Sequence, residues 1–310
     1  MLAHQPRSRL HSLGTFGLST WIALIGIKDV HAQAPCEQAV VANPLSLDGG
    51  FGGTLDFDGD TLAIGMPSAS FSPGYAFVYG RTPDGLELQA QLQAPDGKNG
   101  DEFGQSIAIE GDHLLVGRRG DGALNLKGSV YAYRRQPSGA WLMTQKIVID
   151  KPINWALGWS LAIDGNRVAI GASGATFPGM LGRVFVFEFE NGLWVEKAVI
   201  TPSQSIGNDW FGDTVVLQGD RLVVGAPQHR SGQTHIFERQ GTGTWVQQAV
   251  LIPSQFINYS CYDYGRAVAI DGDTVAVGAI LRRKVVTGPS TVFVYRGITF
   301  VYRLGPTGWT

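Results

Sequence analysis

Beyond residue 34 the apolar residues fall into short runs broken by Gly, Asp or Asn, the pattern of strands and turns rather than of helices. In one block, Ser160–Ile163 and Val168–Gly171 flank Asp164-Gly165-Asn166. Gly and Asn or Asp supply the positive φ that a tight hairpin needs, so the two runs read as paired strands a and b. A looser segment with Gly174, Pro178, Gly179 and Gly182 leads to Arg183–Phe189, an alternating Val and Phe run that predicts strand c. Glu190-Asn191-Gly192 then turns the chain into Trp194–Thr201, strand d, which stops before Pro202.

The block repeats. FGGTLDFDGDTLAIGMP, FGQSIAIEGDHLLVGRR, LGWSLAIDGNRVAIGAS, FGDTVVLQGDRLVVGAP and YGRAVAIDGDTVAVGAI begin at residues 51, 103, 157, 211 and 264, which are 52, 54, 54 and 53 residues apart. A fixed period of this size signals stacked or radial repeats. Tyr75–Tyr79, Tyr131–Tyr133 and Thr234–Phe237 supply further c strands, and d strands start at Leu86, Trp141 and Trp245. Four antiparallel strands per repeat, arrayed radially, predict an all-β fold, a β-propeller of four-stranded blades in a single domain, residues 35–310.

Phe51-Gly52, Phe103-Gly104 and Phe211-Gly212, with Gly225-Ala226-Pro227 and the partial copies Gly171-Ala172 and Gly278-Ala279, make the chain resemble FG-GAP repeat proteins. These are the propeller repeats of integrin α chains and of many secreted bacterial proteins. Leu157, Tyr264, Met66 and Arg118-Arg119 depart from the motif. Glu37–Pro44 aligns with the d strands Glu196–Pro202 and Gln247–Pro253, while the chain ends at Trp309-Thr310, where the fifth d strand should start. The expectation is five blades, with the N-terminal strand completing the last; a truncated seven-bladed relative is the rival. Val292–Arg296 nearly duplicates Phe300–Arg303, which predicts a bulge or an extra hairpin in the fifth blade.

Residues 1–34 read as a secretory signal: Arg7 and Arg9, an uncharged run Leu13–Ile27, then His31-Ala32-Gln33-Ala34 with its small-x-small end. The run is shorter than the ~20 residues that span a bilayer. Without Arg7, Arg9, Lys28 and Asp29 the totals are 21 basic and 25 acidic residues, net −4, which excludes bulk attraction to nucleic acid. The reading is a secreted, periplasmic or cell-surface monomer. Cys36 and Cys261 would pair in an exported protein, but the topology sets them on opposite faces, roughly 20 Å apart, so two free thiols are expected.

The b–c and d–a loops share one face of such a propeller, and the copies differ there. Arg118, Arg119, Lys127, Arg230, Arg282 and Arg283, with Trp210 nearby, are the candidate ligand-binding residues. Basic groups beside aromatics suit an anionic polysaccharide or a protein surface. Integrin-like blades often hold calcium in an a–b loop; here Asp58-Gly59-Asp60 is too short to wrap an ion, so no metal or cofactor is expected. No His-Glu-x-x-His, G-x-S-x-G or phosphate loop occurs, and no catalytic residue is assigned. The resemblance implies cell-surface ligand recognition. The expectation is therefore a non-catalytic binding or adhesion module, with a carboxylate-dependent polysaccharide-active enzyme, a glycosidase or lyase, and a structural surface protein as alternatives.

Overall fold

The computed structural model describes residues 41–45, 49–67, 72–120, 127–149, 156–174, 181–204, 209–228, 231–253, 260–287 and 290–310. They form five four-stranded antiparallel sheets, each with its strands in chain order, and no helix. The first blade holds β1 (Thr54–Asp58), β2 (Thr61–Met66), β3 (Tyr75–Thr82) and β4 (Gly85–Leu92). The second holds β5 (Phe103–Glu110), β6 (His113–Arg118), β7 (Ser129–Arg135) and β8 (Trp141–Ile147). In the third are β9 (Ser160–Asp164), β10 (Arg167–Ala172), β11 (Arg183–Glu190) and β12 (Leu193–Ile200). The fourth has β13 (Thr214–Gln218), β14 (Arg221–Ala226), β15 (Gln233–Arg239) and β16 (Trp245–Leu251). Last come β17 (Ser260–Asp271), β18 (Thr274–Thr287), β19 (Ser290–Gly305) and β20 (Gly308–Trp309).

Burial explains the run composition. Val168 to Ala172 in β10 are all buried, because the second strand of a blade is flanked in its own sheet and covered on both faces by neighbouring blades. β8 and β16, at the rim, alternate exposed and covered residues. Apolar clusters fill the seams between blades one and two, two and three, three and four, and four and five. A bulge interrupts the third-to-fourth strand pairing at the same place in four blades, after Val78, Ala132, Val186 and Ile236.

The two halves of the repeat motif meet across each seam. A Cβ built on Gly65, Gly117, Gly171 or Gly225 would lie 2.1, 2.2, 2.2 or 1.9 Å from the carbonyl oxygen of Gly104, Gly158, Gly212 or Gly265 in the next blade. Only glycine permits that approach. Beside each contact a hydroxyl donates to the next blade's backbone: Thr54 to Gly104 (2.8 Å), Ser106 to Gly158 (2.7 Å), Ser160 to Gly212 (2.8 Å) and Thr214 to Arg266 (2.7 Å). On the opposite face, Asp58, Glu110, Asp164 and Gln218 accept from the turn N–H groups of Gly111, Gly165, Gly219 and Gly272. The hairpin acids thus join one blade to the next.

The fifth blade differs. Ala267 stands where the other blades carry Ser or Thr, and a Cβ on Gly278 would meet only Ala267 of its own sheet, at 3.3 Å. The duplication expected there is a long hairpin, β18 pairing with β19 from Thr274↔Arg303 to Thr287↔Ser290. Of the N-terminal strand expected to complete this blade, residues 37–40 lie outside the described residues and 41–44 are not strand. Val41 and Leu45 instead join Phe51 against Ile64, Met66, Phe77 and Tyr79 of the first blade. The fifth sheet's own fourth strand is β20. Cys261 is a free thiol within β17 rather than in a loop; Cys36 and the expected signal segment lie outside the described residues.

Candidate functional site

β1, β5, β9, β13 and β17 are the innermost strands, each from β1 to β13 packed on its successor, and together they line a central cavity. At four of the five entries into these strands the residue just before the Phe-Gly pair or its equivalent is a non-glycine in the left-handed region: Glu102 (φ 60°), Ala156 (φ 52°), Trp210 (φ 58°) and Asp263 (φ 53°). Such conformations cost free energy and persist where the surroundings enforce them. Just after the pair, each blade contributes one residue near the axis: Gly53, Gln105, Trp159, Asp213 and Arg266. The last four line the cavity rim, above an apolar wall that includes Ile107, Leu161 and Val215.

Asp213 is the chemically distinctive member. It is 8 % exposed, and its Oδ1 is buried without a hydrogen-bond partner among the described residues. Burial pushes its carboxyl up to about 6, against the opposing pull of the Arg266 charge and a hydrogen bond from Trp159, and with help from the Asp263 charge. Such a group is ionised at neutral pH yet basic enough to take a proton. Asp56 lines the same cavity, but its Oδ2 accepts from the Ile109 N–H (2.8 Å) and its Oδ1 from the Phe57 N–H (2.9 Å). Asp263 Oδ1 accepts from Gln228 Nε2 at 3.2 Å. Neither is as uncommitted as Asp213.

The predicted binding residues do not converge. Arg118, expected on an exposed loop, ends β6 with 1 % of its side chain exposed. It pairs with Asp101 (3.0 Å) and Asp96 (3.3 Å), and donates to Tyr131 Oη (2.6 Å) and the Gly120 carbonyl (2.7 Å). Burial tends to raise the Asp96 carboxyl, but hydrogen bonds from Lys146 and Tyr131 and the charges of Lys146 and Arg118 hold it well below the usual range. Lys127 is exposed, and Trp210 is part-buried at a loop end. Arg230 lies outside the described residues. Arg282 and Arg283, expected in a loop, belong to β18. Arg282 stacks over Tyr262 (4.3 Å) and Phe293 (4.8 Å) and donates to Tyr262 Oη.

Only Arg119 reaches the channel rim. Its Nη1 donates to both Glu102 oxygens at 3.2 and 3.1 Å, and its guanidinium lies 4.9 Å above the Trp159 ring. Asp213 was absent from the candidates because it sits inside the repeat motif itself. The signal that finds it is the repeat column: Gly53, Gln105, Trp159, Asp213 and Arg266 vary without restraint between near-constant neighbours.

The FG-GAP repeat model matches residues 86–133, 194–237 and 245–295. No curated protein sequence matches the chain. Among solved structures, a Bacteroides uniformis protein described as a candidate 6-phosphogluconolactonase is similar at 12 % identity and TM-score 0.51, over 80 % of this chain and 72 % of that one. The periplasmic gluconolactonase of Pseudomonas aeruginosa is similar at 17 % identity and TM-score 0.50, over 78 % and 71 %. These likenesses establish the fold. They also correct the expectation of a non-catalytic binding or adhesion module, which rested on the repeat family alone: propellers of this shape include named enzymes, and the enzymatic alternative fits the channel carboxylate better. Among the described residues no helix is long and apolar enough to cross a membrane. With three matched copies and one register carried through all five blades, the chain belongs to the FG-GAP repeat proteins and folds as a β-propeller.

Proposed function

We propose that this propeller is a hydrolase of the lactonase type, working through Asp213 at the rim of the central channel. The observation that carries the reading is a buried carboxyl with one unpartnered oxygen, pushed up to about 6, within the field of Arg266. The cavity, about 80 Å³, has room for water beside it. Asp213 takes a proton from that water as its oxygen bonds to the ester carbonyl carbon. The carbonyl electron pair moves to oxygen, where the Arg266 charge offsets it. Collapse breaks the ring C–O bond, and the released alkoxide takes the proton back from Asp213, so that lactone and water become a hydroxy acid.

A glycosidase needs two working carboxyl groups across the scissile bond. Asp56, the other cavity acid, is held by two backbone N–H groups, which favours ester chemistry over the glycosidase or lyase alternative. The step uses protein groups alone and calls for no cofactor. The leader-like residues 1–34 support an exported, periplasmic or secreted location, and the similar Pseudomonas aeruginosa enzyme is periplasmic by name.

Purified protein is assayed by pH-stat on glucono-δ-lactone, its 6-phosphate and a simple γ-lactone. Acid release well above the spontaneous rate, lost about 10²-fold or more in Asp213→Asn, supports the reading. Release equal to the uncatalysed rate on all three, or an Asp213→Asn variant as fast as the parent, overturns it.

A further inference from the structure

Three residues from three separate connections converge behind Asp213. Glu102 precedes β5, Arg119 follows β6, and Trp159 stands just before β9 in the next blade. Arg119 Nη1 reaches both oxygens of Glu102, which fixes the guanidinium although about a third of each side chain is exposed. The guanidinium covers one face of the Trp159 ring at 4.9 Å. Trp159's backbone is itself pinned, its N–H donating to the carbonyls of Gly171 (3.1 Å) and Ala156 (3.2 Å), so rotation of the side chain is its remaining freedom. The indole is a donor only, and its partner is the Asp213 carboxyl.

We propose that Arg119, clamped by Glu102, is a positioning residue that acts on Asp213 through Trp159. A cation over the ring holds the indole by its quadrupole and draws electron density from it, strengthening the N–H as a donor. The other charged groups facing Asp213 are Arg266 and Asp263 of the fifth blade, with Asp56 on the cavity wall from the first. None of them touches Trp159 in the described structure. The relay therefore sets Asp213 independently of the fifth blade, and it rests on the reading above only in naming Asp213 as the working group.

The test is a ¹³C-carboxyl NMR titration of the full chain, with the Asp213 signal assigned by its loss in Asp213→Asn. Trp159→Phe removes the donor and should raise the Asp213 midpoint. Arg119→Gln should raise it in the same direction by about half a unit or more, Glu102→Gln by less, and Arg119→Lys should restore part of the shift. In the lactone assay the same variants should lose most rate near pH 6 and least near pH 8. A folded Arg119→Gln protein titrating at the parent midpoint overturns the proposal, whether or not Trp159→Phe shifts it. Because the titration needs no substrate, absence of lactone hydrolysis would sink the functional reading while leaving this relay to be judged by its own signal.

Discussion

At Asp213 the fold holds a carboxyl where its charged form is disfavoured, and the consequence for stability has a definite sign. The unfolded group titrates near 3.8 and the folded one at about 6. Below the unfolded value both states are protonated and there is no penalty. Between the two values the folded state keeps a proton that the unfolded state has lost, so stability falls as pH rises, reaching a deficit of about 3 kcal/mol above the folded value. Asp213→Asn should therefore be more stable than the parent at pH 8, by up to about 3 kcal/mol in urea unfolding, with the difference vanishing towards pH 3. Activity should run the other way, with the parent's rate falling below about pH 6 as the base is protonated. Stability gained where activity is lost marks a group retained for chemistry rather than for packing.

Among the elements, the strands were legible because their cause is local. The third block's predicted runs, Ser160–Ile163, Val168–Gly171, Arg183–Phe189 and Trp194–Thr201, match β9 to β12 to within one residue at each end. Turn chemistry and alternation sufficed there. The site was not legible in the same way, since what distinguishes Asp213 from Asp58 or Asp164 is the partner supplied by another blade. Asp58 and Asp164 meet a turn N–H, whereas Asp213 meets an indole, a guanidinium and an unpartnered volume. Arg118 shows the converse: a charge in a predicted loop, buried because Asp96, Asp101 and Tyr131 assemble around it. The seam glycines give a test within one motif. Gly171→Ala would press a Cβ to 2.2 Å from the Gly212 oxygen and should destabilise by about 3 kcal/mol or more; Gly278→Ala, with Ala267 its nearest neighbour at 3.3 Å, should cost under about 1 kcal/mol. Comparable losses from both in chemical denaturation would mean that the glycines matter for chain entropy and not for the seam.

Over the whole molecule the four seams from blade one to blade five share one construction: an apolar cluster, a glycine contact, a hydroxyl bond and a turn-face bond. Between blades five and one none of these joins the two sheets among the described residues, and blade one's outward face is covered by Val41, Leu45 and Phe51. Hydrogen exchange should follow that inequality, with the amides of β17 to β19 exchanging faster than those of β9 to β14. Equal protection around the ring would show that the fifth seam is sealed as firmly as the rest.

Mechanically, such a molecule is a split washer rather than a hoop. A hoop resists spreading through every joint at once, while a split washer flexes at its gap and keeps the remaining joints rigid. Here the gap adjoins the blade that carries Arg266, whereas Asp213, Trp159 and Arg119 ride on the rigid arc. Spreading the gap would change the bore on the Arg266 side and leave the carboxyl and its supports in register.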